Sequence, residues 1–275
     1  MNRQLMVTAL LIAVIFLGFG IVIPVLPELI TQAGAREFHL GLLLSVYSLL
    51  GFIVSPVWGG WSDRVGRKPI MMAGLSGFSL SFFLLAIAGD QLWLMYLSRI
   101  LGGIFSGATT ACAVAYVADI TTEETRTKGM ALVGMSIGLG FTFGPAIGGL
   151  LSGFGLSIPF YAASVLSIAA VWIAYRFIRE ARVPGEKSRS GGTASRWSAF
   201  SGSVKYLYVL AFFVTFSLAG LEGTLQFFQA KRFGATPFDI GIMFFFCGLA
   251  GALIQGGVVR RLADKGKEPM FIVTG

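Results

Sequence analysis

The chain has 275 residues, of which 55% are hydrophobic and only 12% are charged, and its formal net charge is +8. A soluble domain carries about a quarter charged residues, so this composition argues against a water-exposed globular enzyme. The basic residues lie between long apolar runs, which indicates orientation in a membrane and not nucleic-acid binding.

Long apolar runs recur along the whole chain. A helix needs about 20 mostly apolar residues to cross a bilayer, and these runs lack the alternation typical of strands. They predict eight membrane-spanning helices and the start of a ninth at Pro269, and therefore an all-α integral membrane fold. The predicted spans are 5–26, 40–61, 70–89, 92–118, 130–152, 157–178, 205–229 and 237–259.

The basic residues are divided unevenly between the two sides of the membrane. The segments predicted to face outward hold only Arg36, Lys231 and Arg232, whereas nearly all other Lys and Arg residues lie in the opposite segments. Cytoplasmic loops carry the excess of positive charge. The pattern predicts a multi-pass protein of the cell membrane with a cytoplasmic N-terminus.

A polar, basic and Gly/Ser-rich segment at 180–204 separates six predicted spans from two. Its composition predicts a cytoplasmic linker between a six-helix bundle, residues 1–179, and a partial second bundle, residues 205–275. Similar segments with paired glycines, an aspartate and basic residues follow the second span of each half, at 59–68 and at 256–267. This recurrence predicts two related helical bundles.

Three motifs occur in the N-terminal half. The first follows span two and consists of Gly60, Asp63, Arg64, Gly66, Arg67 and Lys68. The second, in span four, is Arg99 followed by Gly102, Gly103 and Gly107. The third, in span five, consists of Gly140, Gly144, Pro145, Gly148 and Gly149. Together they resemble the major facilitator superfamily, and the third is similar to the motif of its antiporters.

The first and seventh spans resemble one particular group within this superfamily. Segments 15–27 and 216–225 resemble the drug:proton antiporter group, in particular the multidrug (quinolone) exporters of Gram-positive bacteria. The superfamily has twelve helices in two bundles. The chain therefore resembles a major-facilitator-type bundle that is truncated after helix eight.

Two ionisable residues lie in the interior of predicted spans, away from the span ends. Arg99 at the centre of a bilayer costs at least ~2.5 kcal/mol, so it should face the bundle interior and hold an acidic partner. Glu222 is the sole acid in the interior of a predicted span, and burial disfavours its charged form, so it can take up and release a proton. The resemblance implies substrate and proton coupling for both residues. An interhelical tether is the structural alternative for each.

The first motif is the expected conformational-switch loop. Arg67 is expected to pair with Asp119 at the end of span four, and Asp63 to bind the positive end of a neighbouring helix dipole. A purely positive membrane anchor is the alternative.

The glycines of span five are expected to form one face that packs against span eight. Spacings of four allow close backbone approach, and Pro145 can kink the helix. Gly241, Gly248 and Gly251 offer a facing surface. The resemblance also implies an apolar cavity wall. Its expected members are Phe16, Ile23, Ile137 and Phe141.

No nucleotide-binding loop, metal-ligand cluster or nucleophile cluster occurs in the sequence, so we expect no enzyme, cofactor, metal or nucleic-acid partner. The resemblance implies a monomeric proton-coupled antiporter in membrane lipid that exports hydrophobic or cationic drugs by alternating access. The alternatives are a specific metabolite or sugar transporter of the same superfamily, and an inactive truncated fragment of an exporter.

Overall fold

A computed structural model of the chain describes residues 3–181 and 204–253. Over these residues the chain forms eight α-helices in the order of the predicted spans, which confirms the predicted all-α fold. The helices are α1 (Arg3–Gln32), α2 (Phe38–Val65), α3 (Arg67–Ile87), α4 (Leu92–Ile120), α5 (Glu123–Ser152), α6 (Ile158–Phe177), α7 (Val204–Phe233) and α8 (Pro237–Leu253).

Among the described helices, α1 to α7 are long and apolar enough to cross a membrane, whereas the apolar part of α8, Pro237–Ala250, is shorter. Most of the predicted linker, at 182–203, lies outside the described residues. So do residues 254–275, which contain the second glycine-rich segment and the predicted ninth span.

The apolar core lies among the first six helices. α1 packs between α5 and α6, α3 packs between α4 and α6, and α2 packs against α4. Large apolar side chains such as Phe52, Trp93 and Val165 are exposed around the outside of this bundle. Such side chains suit contact with lipid, which is as apolar as they are, so the arrangement fits a membrane bundle.

The connection between α2 and α3 is shorter than the predicted loop. Gly60, Asp63 and Arg64 lie in the last turns of α2, and α3 begins at Arg67, so Gly66 alone joins the two helices. Its φ of 111° is open to glycine and strained for other residues. The expectation of a loop was wrong because hydropathy marks where a helix leaves the bilayer, and the backbone hydrogen bonding continues beyond that point.

α1 is also longer than its predicted span. It continues through Pro24 and Pro27 to Gln32, and it therefore contains Glu28. The expectation that Glu222 is the sole acid within a span was wrong, since Asp239 lies in the predicted span 237–259. The observed helices also contain Glu28 and Asp119.

Candidate functional site

Arg99 faces the bundle interior, as expected, and is only 2% exposed. Its guanidinium carbon lies 5.6 Å from the centroid of the Tyr47 ring on α2. Within the described part of the chain no carboxylate pairs with Arg99, and its Nε makes no hydrogen bond. The expected acidic partner is thus absent among the described side chains, which do not include that of Glu222. The negative face of an aromatic ring attracts the cation instead.

The glycines that follow Arg99 bring α2 close to α4. A methyl group at Gly103 would lie 2.5 Å from the carbonyl oxygen of Tyr47, and one at Gly102 would lie 3.2 Å from the Tyr47 ring. Since larger residues would hold the helices apart, these glycines set the distance between Tyr47 and Arg99.

A line of aromatic rings leads from Phe16 on α1, by way of α5, to Tyr47 on α2. Ring centroids lie 5.5 Å apart for Phe16 and Phe141, 5.6 Å for Phe141 and Phe19, and 5.7 Å for Phe19 and Tyr47. Two of the expected wall residues, Phe16 and Phe141, thus touch each other and continue toward Arg99. Sequence reasoning missed Phe19, because with 25 phenylalanines in the chain only its spacing from Phe16 marks it.

The other two expected wall residues lie in different surroundings. Ile137 packs against the apolar core. Ile23 lines a narrow recess of about 20 Å³ between α1, α2 and α7, together with Phe19 and Gln226. Gln226 was also missed, although an amide within a predicted span is the same kind of signal that drew attention to Arg99.

The glycines of α5 do not form a single face toward α8. A methyl group would come within 2.5 Å of the Phe16 side chain at Gly140, 2.7 Å of the Gly20 backbone at Gly144, and 2.5 Å of the Ile21 carbonyl at Gly148. These three glycines therefore seat α5 on α1. Two further glycines of α5, Gly134 and Gly138, have open space beside them.

Gly149 makes the expected contact with α8. A methyl group there would lie 2.5 Å from the carbonyl oxygen of Pro237 and 3.0 Å from the Cα atom of Gly241. Gly241 in turn packs beneath the carbonyl oxygen of Pro145, and Gly248 packs on Thr142. The two backbones are thus in close contact, and α5 is continuous through Pro145.

Arg67 ties the end of α2 to α4. Its guanidinium lies 2.6 Å from Asp63 and 3.1 Å from Asp119. The expected contact with Asp119 is thus present, with both side chains 8% exposed. Asp63 was expected at the end of a neighbouring helix; the structure pairs it with Arg67, and the turn at Gly66 brings the end of α2 and the start of α3 together.

Glu180 completes this cluster and was not anticipated, because the sequence places it at the start of the linker. Its carboxylate accepts hydrogen bonds from the backbone N–H groups of Arg67, at 2.8 Å, and Lys68, at 3.0 Å. A carboxylate at a helix N-terminus satisfies free N–H groups and opposes the helix dipole. Lys68 also donates to the carbonyl oxygen of Tyr175, at 2.8 Å, so α3 is fastened to the end of α6.

The last expectations concern Glu222 and metal ligands. The backbone of Glu222 is part of α7, but its side chain is not among those that the structure describes. Over the described residues no group of three or more His, Cys, Asp or Glu side chains is placed to hold a metal ion.

Comparison with known proteins shows that the chain is similar to membrane transporters. The sequence profile described as the Major Facilitator Superfamily matches residues 8–275. Multidrug resistance protein 2 of Bacillus subtilis is 32% identical over 276 residues, which is 96% of this chain and 68% of that protein. Multidrug resistance protein 1 of the same organism is 33% identical over 255 residues, 91% of this chain and 64% of that protein.

Other relatives carry different substrate names. The class D tetracycline resistance protein of Salmonella ordonez is 32% identical over 286 residues, which is 100% of this chain and 71% of the relative. Among solved structures, the human organic anion transporter MFSD10 has a TM-score of 0.72 and 26% identity, over 96% of this chain and 74% of that one. The chain thus spans about two thirds of the length of the curated relatives named here.

Proposed function

The chain belongs to the Major Facilitator Superfamily, and on that premise we propose that it is a proton-coupled antiporter that exports hydrophobic or cationic drugs by alternating access. The proposal includes a multi-pass monomer in the cell membrane, with a cytoplasmic N-terminus and the division at the 180–204 linker. Membrane transport is the activity of the family, and drug export is the step that this proposal adds.

The names of the relatives support drug export. The Bacillus subtilis relatives are named multidrug resistance proteins. The quinolone resistance protein NorA of Staphylococcus aureus is 32% identical over 263 residues, 93% of this chain and 66% of that protein. These relatives are longer than the chain. The activity, substrates and partners of the whole protein are therefore part of the proposal.

The observation that carries the proposal is the aromatic line that ends at Arg99. Phe16, Phe141, Phe19 and Tyr47 offer ring faces and edges to a bulky apolar molecule, and Arg99 adds one buried cation at the end of the line. Ligand sites are mostly apolar with few polar groups that set orientation. Such a wall suits drugs that share size and hydrophobicity better than sugars, which need many hydrogen bonds.

We assign proton and substrate coupling to Arg99 and Glu222. Arg99 is buried without a carboxylate partner among the described residues, so its charge is available to a carboxylate that approaches during transport. Glu222 lies on α7, the first helix after the linker. A carboxylate there that alternates between protonated and ionised forms would join proton flow to the binding of a cationic drug.

The contacts between the two halves support alternating access. Gly149 meets Gly241, α1 touches α7, and Lys231 at the end of α7 pairs with Glu37 before α2. These contacts lie at the end of the bundle opposite the Arg67 cluster. In the proposed orientation that end faces outward, so the described arrangement is closed toward the outside. The cluster of Arg67 with Asp63, Asp119 and Glu180 is then the proposed conformational switch. The glycines of α5 form the proposed seal.

The test measures drug efflux from cells that lack their own exporters and express the protein from its complete gene. We expect ethidium efflux and norfloxacin tolerance that a protonophore abolishes. Glu222→Gln should remove efflux while the protein stays in the membrane, and Glu124→Gln, in the exposed first turn of α5, should leave it intact.

Two outcomes would contradict the proposal. Ethidium efflux that persists at the wild-type rate in Glu222→Gln would show that this carboxylate does not couple transport. Tolerance restricted to tetracycline would instead assign the protein a single substrate, like that in the name of its Salmonella relative.

A further inference from the structure

Three arginines surround one recess at the end of the bundle where α1 begins and α6 ends. This arginine recess is lined by Arg3, Gln4, Arg176, Phe177 and Arg179, and its volume is about 370 Å³. Among the described residues no carboxylate lines it or pairs with its arginines. The arginine recess is therefore a concentration of positive charge without a counter-charge from the described side chains.

Phe177 holds two of these cations around one ring. The guanidinium carbon of Arg3 lies 4.8 Å from the centroid of the Phe177 ring, and that of Arg176 lies 5.8 Å from it. Glu180, the next acid along the chain, has its carboxylate bound by backbone N–H groups at the start of α3. The positive-inside rule requires basic residues on one side of the membrane but not their convergence on one ring, where like charges repel each other. Their convergence points to an anion that lies between them.

Hydrogen bonds fix the floor of the arginine recess. The Gln4 amide donates to the carbonyl oxygen of Phe177, at 3.0 Å, and its oxygen accepts from the backbone N–H of Arg179, at 3.0 Å. The hydroxyl of Tyr116, which is 1% exposed, lies 2.9 Å from the same Gln4 oxygen. The end of α6 is thus held against the start of α1, and the arginine side chains extend from a fixed backbone.

An exposed apolar stripe of α6 leads to the arginine recess. Val165, Ile168 and Trp172 are exposed and recur with Arg176 at intervals of three or four residues, which places all four on one helix face. The Trp172 ring also contacts Phe177, with centroids 6.2 Å apart. Tryptophan is enriched at the level of the lipid headgroups. The stripe is therefore suited to an acyl chain, and the arginine recess to the headgroup of the same lipid.

We propose that the arginine recess binds the phosphate headgroup of an anionic phospholipid, whose acyl chain lies along the exposed stripe of α6. The planar guanidinium groups of Arg3 and Arg176 match the oxygen geometry of a phosphate group, and Arg179 adds a third positive charge. Basic recesses between membrane helices are typical sites for anionic headgroups. The inference requires only that the chain spans a bilayer, so it does not depend on the proposed drug export.

The test measures lipid binding to the protein expressed from its complete gene and purified in a neutral detergent, with native mass spectrometry as the readout. The unaltered protein should bind phosphatidylglycerol about tenfold or more tightly than phosphatidylcholine, which carries no net charge. The double variant Arg3→Ala, Arg176→Ala should weaken phosphatidylglycerol binding about tenfold or more, because each basic residue beside an anionic lipid contributes about fivefold.

The matched control is the double variant Arg126→Ala, Lys128→Ala at the start of α5. These two side chains are exposed, carry the same charge and do not line the arginine recess. The control should keep the affinity of the unaltered protein, because charges that do not touch the lipid are largely screened at physiological salt. Arg3→Lys, Arg176→Lys keeps the charge without the planar fork. It should recover part of the affinity, which separates lost contacts from misfolding of the alanine variant.

Equal affinity of the unaltered protein for the two lipids would overturn the proposal. Equal weakening in the alanine variant and the control would overturn it too, because general surface charge would then account for the binding. Displacement of phosphatidylglycerol by millimolar inorganic phosphate would assign the arginine recess to a free anion and not to a lipid. Drug export is judged separately by efflux, so its failure would leave these results unchanged.

Discussion

Arg67 of α3 and Asp119 of α4 form an ion pair in which Nε lies 3.1 Å from Oδ2 and both side chains are 8% exposed. Arg67 also pairs with Asp63, but the Asp63 side chain is 46% exposed. One cation thus holds a buried and an exposed carboxylate. The difference in burial predicts different contributions of the two carboxylates to stability.

We expect Asp119→Asn to lower the free energy of unfolding by about 1.5–3 kcal/mol, the value of a hydrogen bond between charged groups, because the buried guanidinium of Arg67 then keeps only the exposed carboxylate of Asp63. Asp63→Asn is the matched control and should cost about 0–1 kcal/mol, as is typical of exposed pairs. Denaturation in mixed micelles measures both values. Equal losses for the two variants would contradict the assignment of Asp119 as the main partner.

Gly66 is expected to tolerate no side chain. Its φ of 111° is strained for alanine, and a methyl group there would lie 2.5 Å from Oε2 of Glu180. Gly66→Ala should therefore cost about 1–3 kcal/mol and loosen the cap on α3. Gly59→Ala, in a helical position of α2 with open space around it, should be neutral or stabilising. Thermal unfolding of the two variants in detergent decides between these expectations.

Gly149→Ala is expected to force α5 and α8 apart. The added methyl group would meet the backbone of both Pro237 and Gly241, and overpacking of this kind costs about 1–3 kcal/mol. Such a cost disfavours the arrangement closed at this end by about 5-fold to 150-fold, and efflux by the protein expressed from its complete gene should fall accordingly. Gly138→Ala, on the same helix with open space beside it, should transport normally. Similar efflux from the two variants would argue against a seal here.

The proposed orientation predicts which loops are open to labelling from outside. In a background without Cys112 and Cys247, Lys231→Cys should react with an impermeant thiol reagent added to intact cells, because Lys231 at the end of α7 is 71% exposed. Ser190→Cys, in the predicted linker, should react only after the cells are opened. Labelling of residue 190 but not 231 in intact cells would reverse the topology.

The sequence by itself determined the helices and their order. Each span is a local property, since about 20 apolar residues suffice to predict it. The contact of Arg67 with Asp119 could also be predicted from the sequence, because both residues lie next to the ends of predicted spans on the same side of the membrane.

Only the tertiary structure decided which groups meet across the bundle. Arg99 lies over the ring of Tyr47 and not beside a carboxylate of the described residues, and Glu180 caps a helix that begins 113 residues earlier. The glycines of α5 divide between α1 and α8. Hydropathy cannot reveal these choices, because it reports transfer into lipid residue by residue, whereas the partner of a buried group depends on how close two particular helices can pack.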